Sequence, residues 1–288
     1  MKILIYGHRG WIGQQVLELL TNHNVILGNS RCDNVNDIEN EIKQHNPTHI
    51  MSFIGRTQGG GITTIDYLEQ KGKLVENLKD NLLSPITLAL TAQKYGIHYT
   101  YLGTGCIFEY DNDHPFGKEE NGFTDEDKPN YFGSSYSIVK GVTDQLMHLL
   151  EINTLNLRIR MPITDKIHPR NFITKITTYE RICSVPNSMS VLNDLLPIMI
   201  DMAEKKLTGT YNFTNEGLIS HNEILELYKK YIDNDFTWTN FSIEEQSKIL
   251  ASGRSNNYLD TTKLQQLYPI KNIKQSVEDI MKLYSNQS

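Results

Sequence analysis

Lys2-Ile-Leu-Ile-Tyr6-Gly7-His8-Arg9-Gly10-Trp11-Ile12-Gly13 is the stretch that decides the fold class. The apolar run Ile3 to Tyr6 reads as a short strand, and Trp11 to Leu20 then places Ile12, Val16, Leu19 and Leu20 on one helical stripe. Strand, glycine turn and helix in this order open a dinucleotide-binding unit. Gly7 can make the tight turn, Gly10 lets the backbone approach a pyrophosphate, and Gly13 permits close packing of helix on strand. The helix start, with Trp11 and Ile12 in its first turn, attracts phosphate charge. The G-x-x-G-x-x-G spacing alone is a weak pattern, and its place between strand and helix gives it force.

The rhythm continues outward. Strands are expected at Val25–Leu27, His49–Ile54, His98–Leu102 and Leu155–Ile159, and helices at Ile38–Lys43, Thr64–Asn81, Leu82–Tyr95 and Ser134–Leu150. Such alternation predicts an α/β fold, a Rossmann-type doubly wound parallel sheet covered on both faces. Pro162, Pro169 and Pro186 then interrupt the pattern. The expected division is a nucleotide-binding domain over 1–161 and a smaller C-terminal substrate lobe over 162–288. That lobe is discontinuous, with 189–214 returning to the first domain.

The 288 residues are 39% hydrophobic and 22% charged, enough for one or two ordinary cores and unlike a disordered or fibrous chain. Lys plus Arg total 28 against 34 Asp plus Glu, and 28 − 34 = −6, with both signs mixed along the chain, argues against a nucleic-acid partner. The opening apolar run is too short for a signal-peptide core, and no stretch approaches the roughly 18 apolar residues of a membrane span. A cytoplasmic protein without a membrane partner is expected. Cys32, Cys106 and Cys183 are odd in number and lack metal-ligand spacing, so reduced thiols are expected. His45 and His49 enclose Pro47, which disrupts the helix that such a ligand pair needs, and no metal is expected.

After the second strand comes Gly28-Asn-Ser-Arg31, with no carboxylate where an NAD enzyme holds the ribose diol. Ser30 and Arg31 can hold a 2′-phosphate instead, which favours NADPH, with Asp33 the competing diol ligand. Tyr136 and Lys140 form Y-x-x-x-K one helical turn apart. An ammonium beside a phenol stabilises the phenolate and eases proton donation to a carbonyl oxygen as hydride arrives. Thr104, at the end of a strand, can hydrogen-bond that carbonyl. If the chain stays extended, Cys106 projects from the same side and can move a proton on the neighbouring carbon, although cysteine is also a common space-filler.

The glycine loop with Thr104, Tyr136 and Lys140 resembles the extended short-chain dehydrogenase/reductases that act on nucleotide sugars. Gly103 to Asp111, Pro169 to Ile176, Val185 to Ser190, Tyr211 to Asn215, Ser220 to Leu225 and Arg254 to Asn257 resemble more closely the UDP-4-keto-6-deoxyglucose 3,5-epimerase/4-keto-reductases, over nearly the whole chain. The resemblance implies that Thr104, Tyr136 and Lys140 carry reduction, that Cys106 and Lys175 form the proton-transfer pair for epimerisation, and that Asn171, Arg254 and Asn257 bind the nucleotide sugar, Arg254 at the UDP pyrophosphate. It also implies UDP-L-rhamnose as product, a homodimer, and a separate UDP-glucose 4,6-dehydratase as supplier, because no dehydratase region precedes the reductase. Ser52-Phe-Ile-Gly55 and Arg56-Thr-Gln-Gly-Gly-Gly61 depart from the family's usual Asn-Ala-Ala-Gly. Three alternatives stay open: a 4-keto-rhamnose reductase without epimerase activity on a dTDP or UDP sugar, a non-catalytic NADP-binding regulatory subunit, and a dehydratase or 4-epimerase with permanently bound NAD.

Overall fold

Apolar runs of four to seven residues form the strands of a parallel sheet, whose central members are buried on both faces and so need no alternation. The computed structural model describes residues 1–285, and these divide into two units. The first comprises Met1–Ile107, Lys128–Arg158 and Pro197–Tyr211. The second takes Phe108–Asp127, Ile159–Leu196 and the chain from Asn212 onward. The segment 108–127 therefore packs with the second unit, although it lies inside the span assigned from sequence to the nucleotide-binding domain.

The first unit is built from β1 (Lys2–Tyr6), α1 (Trp11–Leu19), β2 (Asn24–Leu27), α2 (Val35–His45), β3 (His49–Ser52), α3 (Leu74–Leu78), α4 (Ser84–Lys94), β4 (His98–Thr104), α5 (Ser135–His148) and β5 (Thr154–Ile159). The sheet order is β2-β1-β3-β4-β5-β7, with β7 at Gly209–Asn212, and β1 pairs in parallel with both β2 and β3. From β1 the chain goes first to one side and then to the other. The carboxyl ends of β1 and β3 thus flank a topological switch point, where open α/β sheets bind ligands. Leu4, Tyr6, Ile50, Tyr99 and Tyr101 of the strands pack against Ile38, Ile42, Leu88, Ala89 and Met147 of the helices.

The region between β3 and α4 differs from the two helices expected from sequence. A 3-10 turn covers Ile65–Glu69, Gly72 breaks the path at φ +85°, and α3 then runs through a wide π-turn at Lys79–Leu83 directly into α4. Pro85 explains the irregularity, because it has no N–H for the carbonyl of Asn81. The Thr143 hydroxyl donates to that carbonyl at 2.7 Å, and the Ser84 hydroxyl donates to Lys79 O at 2.8 Å.

The second unit contains α6 (Phe172–Ile176), the parallel pair β6 (Arg181–Ile182) and β8 (Thr239–Asn240), α8 (His221–Tyr231), α9 (Ile243–Ile249), α10 (Thr262–Gln265) and α11 (Ile273–Ser285), with α7 (Leu192–Glu204) beginning in it. Its core joins Ile163, Ile173, Ile176 and Val191 to Ile224 and Leu225 of α8 and to Val277, Ile280 and Met281 of α11. Ser220 and Glu223 form a reciprocal capping box that starts α8. No helix among the described residues is long and apolar enough to cross a membrane.

Candidate active site

The glycine loop is built so that side chains would obstruct it. Gly7 has φ +74°, and a Cβ there would lie 2.6 Å from the Phe53 carbonyl carbon. A Cβ at Gly13 would lie 2.4 Å from the Gly7 carbonyl oxygen and 2.9 Å from His8 Cα. Gly10 N-caps α1 without a side-chain bond, and the first turn, with Trp11 and Ile12, holds no acidic residue. The positive end of α1 is therefore left without a built-in counter-charge, and the loop fits a dinucleotide pyrophosphate.

The loop after β2 is shaped by Glu41 of α2. Its carboxylate accepts from Asn29 N at 2.7 Å, Ser30 N at 3.3 Å and Tyr6 Oη at 2.7 Å. Burial acts to raise the Glu41 pKa, but these donors hold it below the usual carboxylate range. Ser30 donates through Oγ to Asp37 O at 3.3 Å. Arg31 reaches Asp33 at 3.1 Å and Asp80 at 3.5 Å with its side chain 63% exposed, so its guanidinium is held at the rim and can face a ligand.

At the end of β4 the strand stops at Thr104, and residues 105–107 turn instead of staying extended. The Cys106 N–H donates to Thr104 Oγ1 at 3.1 Å, and the Ser137 hydroxyl donates to Cys106 O at 2.7 Å. A hydroxyl-stabilised turn thus positions the thiol, in place of the strand alternation expected from spacing. Half-buried Cys106 packs on Tyr67, Leu68 and Tyr136. Ser134 caps α5, accepting from Ser137 N at 3.0 Å, and Tyr136, Lys140 and Asp144 follow at intervals of four on its buried face.

Tyr136 of α5 stands beside the Thr104 hydroxyl and Cys106. Burial raises the Tyr136 pKa, the nearby Cys106 adds to the rise, and the Thr104 hydroxyl opposes it. The Lys140 ammonium donates to Tyr101 Oη at 2.5 Å and lies 4.9 Å from the Tyr101 ring centroid. Burial lowers the Lys140 pKa to about 8 against the opposing pull of the Asp144 charge. Asp144 in turn accepts from Arg158 Nη2 at 2.7 Å and Asn156 Nδ2 at 2.9 Å. Tyr101, Asp144 and Arg158 are functional-site neighbours absent from the sequence reading. The only sequence signal for Asp144 was its place one turn beyond Lys140.

In the second unit, Lys175 lies on α6, and burial together with the positive charges of Arg170 and Arg254 lowers its pKa. Arg254 donates to Ser252 O at 2.9 Å. The Asn171 and Asn257 side chains are fully buried. Asn171 caps α6 through Oδ1, while its Nδ2 donates to Thr164 O, Lys166 O and the Tyr284 hydroxyl. Asn257 Nδ2 donates to Phe108 O at 2.9 Å and Ser255 Oγ at 3.0 Å. Asn171 thereby starts the helix that bears Lys175, and Asn257 ties down the segment that bears Arg254. The unusual Asn-rich segments share this role: Asn215, also fully buried, accepts from Val191 N and donates to Asp194 and Ser276.

Among the described residues no cluster of three His, Cys, Asp or Glu side chains is placed to hold a metal ion. Residues 3–161 match the NAD dependent epimerase/dehydratase family. The chain is 44% identical over 280 residues to a bifunctional dTDP-4-dehydrorhamnose 3,5-epimerase/dTDP-4-dehydrorhamnose reductase of Arabidopsis thaliana, covering 96% of this chain and 91% of the relative. Its structure superposes on the crystal structure of a UDP-rhamnose synthase from Acanthamoeba polyphaga mimivirus with TM-score 0.95 and 54% identity, over 98% of this chain and 99% of the other. A dTDP-4-dehydrorhamnose reductase from Bacillus anthracis, solved in complex with NADP, shares the fold at TM-score 0.80 and 18% identity, over 97% of this chain and 99% of that one.

Proposed function

Because the chain belongs to the NAD dependent epimerase/dehydratase family, we propose that it epimerises C3 and C5 of UDP-4-keto-6-deoxy-D-glucose and reduces the C4 ketone with NADPH, yielding UDP-L-rhamnose. The observation that carries this reading is the grouping in one unit of Thr104 and Cys106 beside the buried Tyr136, with a buried lysine one turn further along α5.

NADPH, when bound, supplies a hydride to the ketone carbon. The loop from Gly7 to Gly13 with Trp11 and Ile12 of α1 would hold its pyrophosphate, and Ser30 with Arg31 would hold the adenosine end. Tyr136 gives its hydroxyl proton to the C4 oxygen, and Thr104 keeps the phenol aimed. C3 and C5 both adjoin that ketone, so the donors that polarise its oxygen also stabilise the enolate formed when either carbon loses a proton. Epimerisation removes a proton from one face of the carbon and returns one to the other, which calls for two groups. Cys106 supplies one; Lys175, its pKa lowered by burial and by Arg170 and Arg254, carries a larger share of neutral amine and supplies the other. Arg254 holds pyrophosphate of the nucleotide sugar through its guanidinium fork. The 4-keto sugar is the product of a UDP-glucose 4,6-dehydratase, and the enzyme works as a homodimer in the cytoplasm.

The test separates the two reactions. Cys106→Ser keeps nearly the same volume but replaces a thiol with a far weaker acid. Solvent deuterium incorporation at C3 and C5 without NADPH should collapse, while NADPH oxidation with the already epimerised 4-keto sugar persists. Wild-type exchange in the variant would remove Cys106 from proton transfer. Absence of any exchange in the parent protein would leave a reductase alone.

A further inference from the structure

We propose that Arg56 is a second ligand for the adenosine 2′-phosphate of NADPH, acting beside Arg31 to set the preference over NADH; this rests on the NADPH reading above. Arg56 stands four residues beyond the end of β3, in the segment where the sequence departs from the family. Its backbone is fixed from both sides. Arg56 N donates to Asn81 Oδ1 at 2.9 Å, and Asn81 Nδ2 donates back to Arg56 O at 2.9 Å and to Asn77 Oδ1 at 2.8 Å. Both asparagines are fully buried.

From that anchor the guanidinium meets Asp80, with Nε at 2.9 Å and Nη2 at 2.8 Å from Oδ2. The other oxygen of the same carboxylate, Oδ1, receives Arg31 Nη2 at 3.5 Å. One carboxylate therefore holds two guanidinium groups side by side, the first from the loop after β2 and the second from the loop after β3. Lys79 approaches Asp33 at 3.7 Å in the same cluster. Three cations, Arg31, Arg56 and Lys79, face two anions, Asp33 and Asp80, and 3 − 2 leaves one positive charge.

In the sheet order β2-β1-β3, the loops carrying these arginines flank the glycine loop on its two sides. A pyrophosphate at the glycine loop puts the adenosine ribose beside the loop after β2. A 2′-phosphate there meets Arg31 and, through the shared Asp80, has Arg56 within a side-chain rotation. Asp80 is nearly buried while the Arg56 side chain is 38% exposed and that of Arg31 63%, so the arginines can turn outward as the carboxylate stays. Guanidinium forks match phosphate oxygens, and the backbone bonds of Arg56 to Asn81 confine the ordering that binding requires to its side chain. NADH, without the phosphate, leaves the Asp80 pairs undisturbed and gains nothing from Arg56.

Calorimetric binding of NADPH and NADH in the absence of sugar tests this on the parent protein, Arg31→Ala, Arg56→Ala and Arg56→Lys. Arg56→Ala should raise the Kd for NADPH about tenfold, the loss expected of one charge-assisted hydrogen-bonded contact, and leave the Kd for NADH within about twofold. Arg56→Lys, which keeps the charge without the fork, should fall between. Equal weakening of both cofactors would make Arg56 a strut for the loop, and an unchanged NADPH affinity would remove it from the phosphate; either result overturns the proposal. Equal affinity of the parent protein for both cofactors overturns the NADPH reading itself, and is seen before any substitution is made.

Discussion

Replacing Asp144 by Asn should weaken the first unit and displace the Lys140 titration together. Asp144 is buried, and burial alone would raise its pKa; the charge of Arg158, the neighbouring His148 and the hydrogen bonds from Arg158 and Asn156 instead lower it from 3.8 to about 2. That difference is worth about 2 kcal/mol of stability at neutral pH. The substitution also leaves Arg158, fully buried, without its carboxylate, and removing one partner of a buried pair costs about 3–5 kcal/mol. The stranded guanidinium sets the larger magnitude, so urea unfolding at pH 7 should show a loss of about 3–5 kcal/mol. The carboxylate's folded-state pKa is depressed, so its stabilisation is complete above about pH 4 and disappears as pH falls toward 2. The difference between parent and variant should shrink over that window. The Asp144 charge also opposes the burial that lowers Lys140 to about 8, so the alkaline limb of NADPH-dependent reduction should move to lower pH in Asp144→Asn. A loss under about 1 kcal/mol with an unmoved alkaline limb would refute both the buried pair and its hold on Lys140.

Gly13→Ala places a methyl group 2.4 Å from the Gly7 carbonyl oxygen, where only backbone can yield, so it should destabilise by about 1–3 kcal/mol and weaken NADPH binding measured by calorimetry. Unchanged melting temperature and cofactor affinity would mean that α1 does not pack against the loop as described. Tyr136→Phe should retain the fold and NADPH affinity while ketone reduction, followed by absorbance of the reduced cofactor, falls about 100-fold or more. Near-parent turnover would place the proton donor elsewhere.

What the sequence reveals about this molecule is local. Strand, glycine turn and α1 lie within twenty consecutive residues, and their chemistry is written in that order, so the nucleotide loop and the Tyr136–Lys140 spacing are legible directly. Lys140 meets Tyr101 across 39 positions of chain, and Arg56 meets Asp80 across 24, and no periodicity marks either pair. The turn after Thr104 is hidden for a different reason: alternation holds only for an extended chain, and the Thr104 hydroxyl captures the Cys106 N–H and ends the strand. The family resemblance marks Asn171 and Asn257 without showing what their amides do within the fold. Burial, which a sequence does not display, assigns their amides to backbone carbonyls within the second unit.

One protein, on this mechanism, both inverts two carbons and reduces the ketone between them. Purified protein incubated with NADPH and UDP-4-keto-6-deoxy-D-glucose, with the sugar product identified by NMR, tests it most directly. The expected product is UDP-L-rhamnose, with C3 and C5 inverted and C4 bearing a hydroxyl. A product reduced at C4 with C3 or C5 in its original configuration, or unreacted 4-keto sugar beside unoxidised NADPH, would contradict it.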